Sequence, residues 1–320
     1  MKKSRILVIH HGALGDVVST FPALLKLKQL YGSISIICQS NIGQLAHELN
    51  IVDQWFPLEA AAFATLYSGQ IDAIVKNILL SYRNIILVSR SRSLEKTLFS
   101  ISENEVYRIP PRPELGHKIH VNQHILSNLV KCRILKDSGK DSRITLPLSV
   151  FTDRRIPEYD PSKIMIHPGS GSRKKCWPIS NFVKVASSMD ANGKQPEFIL
   201  GPAEYDLYDI LMSYKRINAN VHKVETLTEL AGRLKAGGGF IGNDSGVSHL
   251  AAFIGLPTVA VFGPSDPEIW KPMGRAVKVV RSDLECSPCF ETKTVGCEEI
   301  ECFNRITPET VLASFYGLIR

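Results

Sequence analysis

Residues 6–16 read ILVIHHGALGD, and residues 164–172 read IMIHPGSGS. Each segment begins with a run of apolar, mostly β-branched residues and then passes into a turn that contains glycine. A continuous apolar strand followed by a glycine turn is typical of the buried strand that opens a parallel α/β sheet. Because the pattern occurs twice along one chain, it predicts two similar α/β domains rather than one large sheet.

The residues around these two openings alternate between helix and strand patterns. After Asp16, apolar residues at helical spacing predict a helix that Gly32 ends, with a kink or a late start caused by Pro22. Further strands are predicted at 34–38, 71–75, 85–88, 197–200, 221–224, 239–242 and 258–262, with a helix at 181–189. This alternation predicts parallel sheets with helices on both faces.

Proline-containing segments predict the join between the domains and the start of a C-terminal helix. Residues 146–161 contain three prolines among polar residues, which predicts the join between the two domains. Near the C-terminus, Thr307 can cap a helix whose first turn holds Pro308 and whose apolar stripe includes Val311 and Phe315.

Composition fits a folded protein with acidic partners. The chain has 320 residues, of which 44% are hydrophobic and 22% charged, and its net charge is +7. The N-terminal apolar run ends at His10, too short for a secretory signal, so we expect a cytoplasmic protein. The charge suits phosphates, sugar acids or an anionic membrane leaflet. Bases interleaved with aromatic residues, as in a nucleic-acid groove, are missing, so we expect no nucleic-acid partner.

Basic residues are concentrated in one part of the first half. Residues 73–94 contain no acid but include Lys76, Arg83, Arg90 and Arg92. This segment is either an ordinary solvated basic face or a surface for an acidic acceptor.

Four of the seven cysteines are close in sequence. Cys286, Cys289, Cys297 and Cys302 form a C-x2-C-x7-C-x4-C pattern. A structural zinc site, a redox-labile disulfide pair and free thiols are all compatible with this spacing. A catalytic metal is not expected there, because four thiolates leave no open coordination position.

The turn at residues 11–16 is the first of three motifs that can bind anions. Its glycines allow a ligand close to the backbone, and the helix after it presents a positive N-terminus. Considered alone, Asp16 is most simply a helix N-cap.

The second and third motifs follow other predicted strands. Residues 169–178 read GSGSRKKCWP and combine exposed backbone N–H groups, hydroxyls and three cations, which favours a diphosphate over a merely basic loop. Residues 242–252 read GNDSGVSHLAA, where a helix N-terminus could bind a leaving phosphate and His249 could donate a hydrogen bond or proton. The chain contains no Asp-x-Asp sequence, which disfavours a metal-borne nucleotide diphosphate.

In this order and spacing, the three motifs resemble the heptosyltransferase family of glycosyltransferases. The resemblance rests on residues 6–24 with Gly-Asp-Val-Val-x-Thr-x-Pro-Ala-Leu, 166–182 with Lys-x-Trp-Pro, and 242–264 with Asn-Asp-Ser-Gly-x-Ser-His-Leu-Ala-Ala. Residues 200–204 and the Cys-Ser-Pro-Cys stretch at 286–289 also fit. The similarity covers nearly the whole chain.

The resemblance implies a GT-B fold, with two Rossmann-like domains whose parallel sheets face a central cleft. Residues 1–155 would bind the acceptor, residues 156–305 the nucleotide sugar, and residues 306–320 would form a helix that crosses back to the first domain. The implied reaction moves heptose from ADP-heptose to an acidic glycolipid, the inner core of lipopolysaccharide or a related glycan. It would be inverting and would need no metal or other cofactor, and the enzyme would lie in the cytoplasm, peripheral to the inner face of the inner membrane.

The resemblance also implies roles for single residues. Asp16 would be the general base, Lys175 would neutralise the diphosphate, and His249 would complete the catalytic set. The implied donor-binding residues are Ser170, Gly171, Ser172, Lys175, Glu204, Asp244, Ser245, Gly246, Val247 and His249. For the acceptor we add four candidates, Gly12, Gly15, Arg90 and Arg92.

Other functions compete with heptose transfer. A nucleotide-sugar epimerase, or a transferase of another sugar, would keep the fold and change the chemistry. A non-catalytic member that binds nucleotide sugars is disfavoured, since a binding protein needs no base such as Asp16. A Rossmann dehydrogenase is disfavoured because no dinucleotide fingerprint follows a strand.

Overall fold

The structure is a computed structural model that describes residues 5–68, 70–101, 105–136, 159–214, 221–289, 297 and 300–320. The chain divides into two compact units, residues 1–144 and 145–320. Each unit contains one parallel sheet, which confirms the predicted pair of α/β domains. The predicted domain boundary at residues 155 and 156 lies outside the described residues. No helix in the described ranges is both long and apolar enough to cross a membrane.

The first unit is a five-stranded sheet with helices between its strands. Its strands are β1 (Arg5–His10), β2 (Ser33–Cys38), β3 (Gln54–Pro57), β4 (Asn84–Val88) and β5 (Glu105–Ile109). Its helices are α1 (Leu14–Tyr31), α2 (Ser40–Glu48), α3 (Ala61–Ala64), α4 (Ala73–Leu80), α5 (Arg92–Ile101) and α6 (Val121–Lys131). The strand order is β3-β2-β1-β4-β5, and every pair is parallel.

The central strand and its helix follow the sequence pattern closely. Residues 6–10 of β1 are all buried, as expected for a strand covered on both faces. Helix α1 starts at Leu14 and continues through Pro22, so the predicted late start is wrong. Gly32 ends it with φ of 82° and donates its N–H to the carbonyl of Lys28, a conformation that favours glycine.

One predicted strand is a helix. Residues 71–75 were expected to be extended, but α4 begins at Ala73, because the carboxylate of Asp72 caps it by accepting the N–H of Ile74 at 2.7 Å. Val75 and Leu79, four residues apart, are the buried positions of this helix. The segment is therefore the first turn of a helix, in which Val75 is buried and Ile74 is exposed, rather than a strand.

The second unit has six parallel strands. They are β6 (Asp160–His167), β7 (Gln195–Leu200), β8 (Val221–Lys223), β9 (Gly237–Asn243), β10 (Thr258–Phe262) and β11 (Val277–Arg281), in the order β11-β10-β9-β6-β7-β8. The helices are α7 (Ile179–Ala191), α8 (Asp206–Met212), α9 (Leu227–Ala236), α10 (Gly246–Ile254), α11 (Pro267–Trp270), α12 (Glu301–Asn304) and α13 (Pro308–Ile319). The strands predicted at 197–200, 221–224, 239–242 and 258–262 are confirmed, with ends that differ by at most two residues. Strand β6 begins four residues before the predicted Ile164, and β11 was not predicted.

The last helix belongs to the second unit. Thr307 caps α13 by accepting the N–H of Thr310, as predicted. Its buried residues Val311 and Phe315 join the core formed by β6, β9, β10 and α7. A Cβ on Gly239 of β9 would lie only 2.5 Å from Cζ of Phe315, so the glycine leaves room for this ring. The apolar stripe of this helix is therefore buried against the second sheet.

This packing makes a testable prediction. Phe315→Ala should lower the free energy of unfolding by about 3–5 kcal/mol, because it leaves a cavity against β9. The neighbouring Tyr316 is a matched control, since its hydroxyl is buried and has no hydrogen-bond partner among the described residues. Tyr316→Phe should change stability by less than about 0.5 kcal/mol, or increase it. Chemical denaturation of both variants measures the difference, and equal effects would contradict the assigned packing.

Candidate functional site

Each sheet has one point at which the order of its strands reverses. In the first unit, β2 and β3 lie on one side of β1, whereas β4 and β5 lie on its other side. In the second unit, β7 and β8 lie on one side of β6, whereas β9, β10 and β11 lie on its other side. Ligands of parallel α/β sheets bind beyond the carboxyl ends of the strands at such a point. The three sequence motifs follow β1, β6 and β9, and therefore border the two reversal points.

The first motif forms a tight turn between β1 and α1. The N–H of Gly12 donates to Nδ1 of His10 at 2.9 Å. A Cβ on Gly12 would lie 2.5 Å from Cε1 of His10 and 2.7 Å from Cβ of Asp16, so a side chain there would displace both neighbours. Asp16 is half-buried in the first turn of α1 and near its positive end. The N-cap is Ala13, so the interpretation of Asp16 as the cap is wrong.

His10 is a residue of this site that sequence reasoning missed. Its ring is buried, and burial together with the neighbouring His11 lowers its pKa to about 3. The ring is therefore neutral, and because Nδ1 accepts from Gly12, Nε2 carries the hydrogen. Among the described residues, Nε2 has no hydrogen-bond partner. The pair His10-His11 directly after the apolar run is the sequence feature that could have indicated this residue.

The acceptor candidates of the first unit lie at one sheet edge. Val88, the last residue of β4, pairs with His10 across the β1–β4 ladder. Arg90 and Arg92 follow β4 directly, and both are exposed. Arg90 donates to the carbonyl of Pro113 at 3.3 Å. Both arginines therefore follow the strand next to β1, at the same carboxyl edge of the first sheet from which the turn with Gly12, Gly15 and Asp16 emerges.

In the second unit, the loop after β6 is fastened to the end of β9. Nζ of Lys175 lies 2.8 Å from Oδ2 of Asp244, and their side chains are 20% and 7% exposed. The hydroxyl of Ser170 donates to the carbonyl of Asp244 at 2.6 Å. We call these three residues the Lys175–Asp244 clasp. It brings together a cation and a hydroxyl that the sequence had assigned to phosphate binding.

Glu204 is held against the same loop. Its Oε2 accepts the N–H of Gly201 at 3.0 Å, within a short 3-10 turn at Pro202–Glu204. A Cβ on Gly169 would overlap the Glu204 carboxylate, so the glycine is what lets this side chain approach. The pKa of the Cys176 thiol is raised, mainly by burial and secondly by the negative charge of Glu204. The structure therefore joins Glu204 to the second motif.

The third motif supplies a helix N-terminus. Ser245 caps α10 by accepting the N–H of Ser248, and the helix begins at Gly246. Gly246 and Val247 are half-exposed in its first turn, while His249 is buried. Ser172 and Gly171 lie on the loop after β6. Apart from the residues on either side of Gly171, no described residue has an atom within 4 Å of the position of a Cβ on this glycine. This arrangement can accept an anion between the loop and the positive end of α10.

The predicted cysteine site gains no support. All seven cysteines are free thiols. Within the described ranges, no three His, Cys, Asp or Glu side chains come together in a group that could hold a metal ion. Cys286 and Cys297 are exposed and Cys302 is buried, and burial raises the pKa of Cys302 to about 11.

The sequence of this chain is similar to those of known glycosyltransferases. The family model of glycosyltransferase family 9 (heptosyltransferase) matches residues 129–298, more than half of the chain. Lipooligosaccharide heptosyltransferase 2 of Campylobacter jejuni serotype O:2 is 25% identical over 316 residues, which cover 96% of each chain.

Solved structures confirm the fold. The glycosyl transferase family 9 protein of Veillonella parvula superposes with a TM-score of 0.78 at 17% identity, covering 100% of this chain and 98% of that one. E. coli heptosyltransferase WaaC, solved with ADP, gives 0.72 at 15% identity, covering 98% and 99%. These similarities confirm the GT-B fold class and the enzyme class predicted from the sequence. The chain belongs to glycosyltransferase family 9, the heptosyltransferase family.

Proposed function

We propose that the protein transfers heptose from ADP-heptose to an acidic inner-core acceptor of lipopolysaccharide or a related glycan, with inversion and without a metal. The Lys175–Asp244 clasp is the observation that carries this proposal, because it places a cation at the reversal point of the second sheet. The relatives support the choice of sugar. The C. jejuni relative is a lipooligosaccharide heptosyltransferase, and WaaC has also been solved with ADP-2-deoxy-2-fluoro heptose.

The donor would bind to the loop and helix ends of the second unit. The diphosphate would take hydrogen bonds from the hydroxyls of Ser170 and Ser172 and from the N–H groups at the start of α10. Lys175 would turn from Asp244 toward the phosphate oxygens, and Asp244 with Ser245 would then be available to sugar hydroxyls. One carboxylate oxygen of Glu204 is already occupied by Gly201, which leaves the other for the ribose.

The reaction would be a single displacement. The carboxylate of Asp16 would take the proton of the acceptor hydroxyl, and the hydroxyl oxygen would attack the anomeric carbon. The bond from that carbon to the diphosphate would break, and its electron pair would leave on the phosphate oxygen. Lys175, with a hydrogen bond from His249, would stabilise this developing charge. The chain has no Asp-x-Asp sequence, so these cationic and dipolar groups would replace a metal.

The acidic acceptor would be drawn to the first unit. Arg90 and Arg92 would bind its carboxylate or phosphate groups beside Asp16. We also propose contact with an anionic membrane at the inner face of the inner membrane. Helices α4 and α5 expose Ile74, Leu80 and Phe99 next to basic residues that include Lys76. Sedimentation with anionic and with neutral vesicles tests this, and equal binding to both would contradict it.

A panel of nucleotides tests the donor assignment. Thermal unfolding is followed with ADP, UDP, GDP, CDP and NAD, each at a concentration well above its expected dissociation constant. At about 100 times that constant, a ligand stabilises by roughly 2.7 kcal/mol. We expect selective stabilisation by ADP, followed by heptose transfer in an assay with ADP-heptose. Selective stabilisation by another nucleotide would discard heptose as the sugar, and stabilisation by NAD alone would discard the whole assignment.

Two further results would separate the alternative functions. Consumption of a nucleotide sugar in the absence of any acceptor would indicate an epimerase. Binding of ADP without turnover on any lipopolysaccharide-type acceptor would indicate a binding protein.

A further inference from the structure

We propose that Asn243 is a positioning residue of the donor site, which sets the shape of the loop at residues 168–177 by hydrogen bonds to both of its ends. This inference rests on the donor-binding role proposed for that loop. Asn243 was quoted within the third motif but was not among the residues to which the sequence gave a role.

The geometry is that of a single amide joining two ends of a loop. Asn243 is the last residue of β9 and is completely buried. Its Oδ1 accepts the N–H of Trp177 at 2.9 Å. Its Nδ2 donates to the carbonyl of Pro168 at 2.7 Å and, at a longer 3.4 Å, to that of Gly169. The amide therefore ties the first residues of the loop to its last.

The remaining anchors of the loop come from nearby. The hydroxyl of Ser170 and the ammonium of Lys175 both bond to Asp244, the next residue along the chain. Trp177 is buried, and its indole N–H donates to the carbonyl of Ile306 at 3.2 Å. Two consecutive residues, Asn243 and Asp244, thus fix the ends and the middle of the loop. Asp244 is in the donor site, whereas Asn243 lies behind it.

At neutral pH, an amide of this length fits both roles. The site needs one acceptor for Trp177 and one donor for Pro168 in a single plane, and Asn supplies this pair. An ionised Asp has the same shape but only acceptors, so it would oppose the Pro168 carbonyl. Because Asn243 is buried, it cannot touch the donor, and its effect on the reaction must pass through Ser170 and Lys175.

The first experiment removes the amide. Asn243→Ala should free both ends of the loop, and we expect its affinity for ADP to fall by about tenfold or more. A misplacement of about 1 Å in a catalytic group costs on the order of 100-fold in rate, so kcat should fall by that order. The matched control is Thr258→Val, which removes another fully buried hydrogen bond of the same unit, from Oγ1 to the carbonyl of Leu256. The control should keep both ADP affinity and kcat.

Asn243→Asp gives a signature that a merely structural residue would not. A protonated carboxyl group offers one donor and one acceptor, the same pattern as the amide, while an ionised one does not. The ADP affinity of this variant should therefore approach the wild-type value as the pH falls through the pKa of the introduced carboxyl group, and decline as the pH rises. His167, Lys175, Cys176, Glu204, Asp244 and His249 also surround this loop, but both proteins contain them. The ratio of variant to wild type isolates the introduced group.

Hydrogen exchange separates this inference from the proposed donor. In the protein without nucleotide, amides at 170–177 should exchange at least about tenfold faster in Asn243→Ala than in wild type or Thr258→Val. If that holds while wild type binds no nucleoside diphosphate, the loop assignment stands and the donor assignment fails. If wild type binds ADP while Asn243→Ala matches it within twofold, with unchanged loop exchange, the inference is overturned. The inference would also be overturned if the ratio of ADP affinities of Asn243→Asp and wild type stayed the same at every pH.

Discussion

Asp16→Asn is expected to lower the rate of sugar transfer by about 10²–10⁴, because the amide cannot take the proton of the attacking hydroxyl. ADP affinity should stay within about twofold of wild type, since every donor contact proposed above comes from the second unit. The substitution is nearly isosteric, and the N-cap of α1 is Ala13 rather than Asp16, so the helix should be retained. Transfer kinetics with saturating ADP-heptose and calorimetric titration with ADP measure the two quantities.

Glu309→Gln is a matched control for this prediction. Glu309 is likewise the acidic residue in the first turn of a helix, α13, but it is exposed and no role in the reaction is proposed for it. It removes the same charge from the positive end of a helix and should leave the transfer rate unchanged. Undiminished turnover in Asp16→Asn would remove Asp16 from the mechanism.

Lys175→Ala is expected to lower kcat/KM by about 10²–10³, the usual effect of losing one group that stabilises charge in the transition state. The variant also removes the ammonium that faces the Asp244 carboxylate at 2.8 Å. Asp244 would then face the incoming diphosphate as a like charge. Part of the loss should therefore come from Asp244 rather than from the missing cation.

A double-mutant cycle divides the two contributions. We expect Lys175→Ala combined with Asp244→Asn to bind ADP more tightly than Lys175→Ala alone, because the repulsion is removed. Lys174→Ala is the control, since that lysine is exposed and adjacent in sequence. If Lys174→Ala reduces kcat/KM as much as Lys175→Ala, the loop contributes only general positive charge and the clasp has no special role.

The fold could be predicted mainly where strands are buried on both faces. Residues 259–262 form an unbroken apolar run after Thr258, and all five residues of β10 are buried. Residues 71–75 are also mostly apolar, but Asp72 interrupts them and caps a short helix that begins at Ala73. An apolar run of this length fits either element, and only packing against Phe63 and Leu98 in the same core decides between them. For α13, the stripe predicted burial but could not indicate which sheet would cover it.

The candidate site was predicted in part. Ser170, Lys175 and Asp244 could be assigned because charged and hydroxyl side chains near glycine turns are typical of phosphate binding. His10 and Asn243 could not be assigned, because the type of a polar residue does not show whether its side chain faces the interior or a ligand. Their direction is set by β1 and β9 and by the hydrogen bonds to Gly12, Pro168 and Trp177.

The close approach of Gly169 to Glu204 limits how this site can change by mutation. A side chain at position 169 would force the Glu204 carboxylate to turn away from the N–H of Gly201, whereas the loss of Glu204 creates no steric conflict. The order of two substitutions would therefore matter: a shorter residue at 204 first makes room at 169, but the reverse order passes through a crowded intermediate. A library randomised at both positions should recover larger residues at 169 mainly in clones that have lost Glu204.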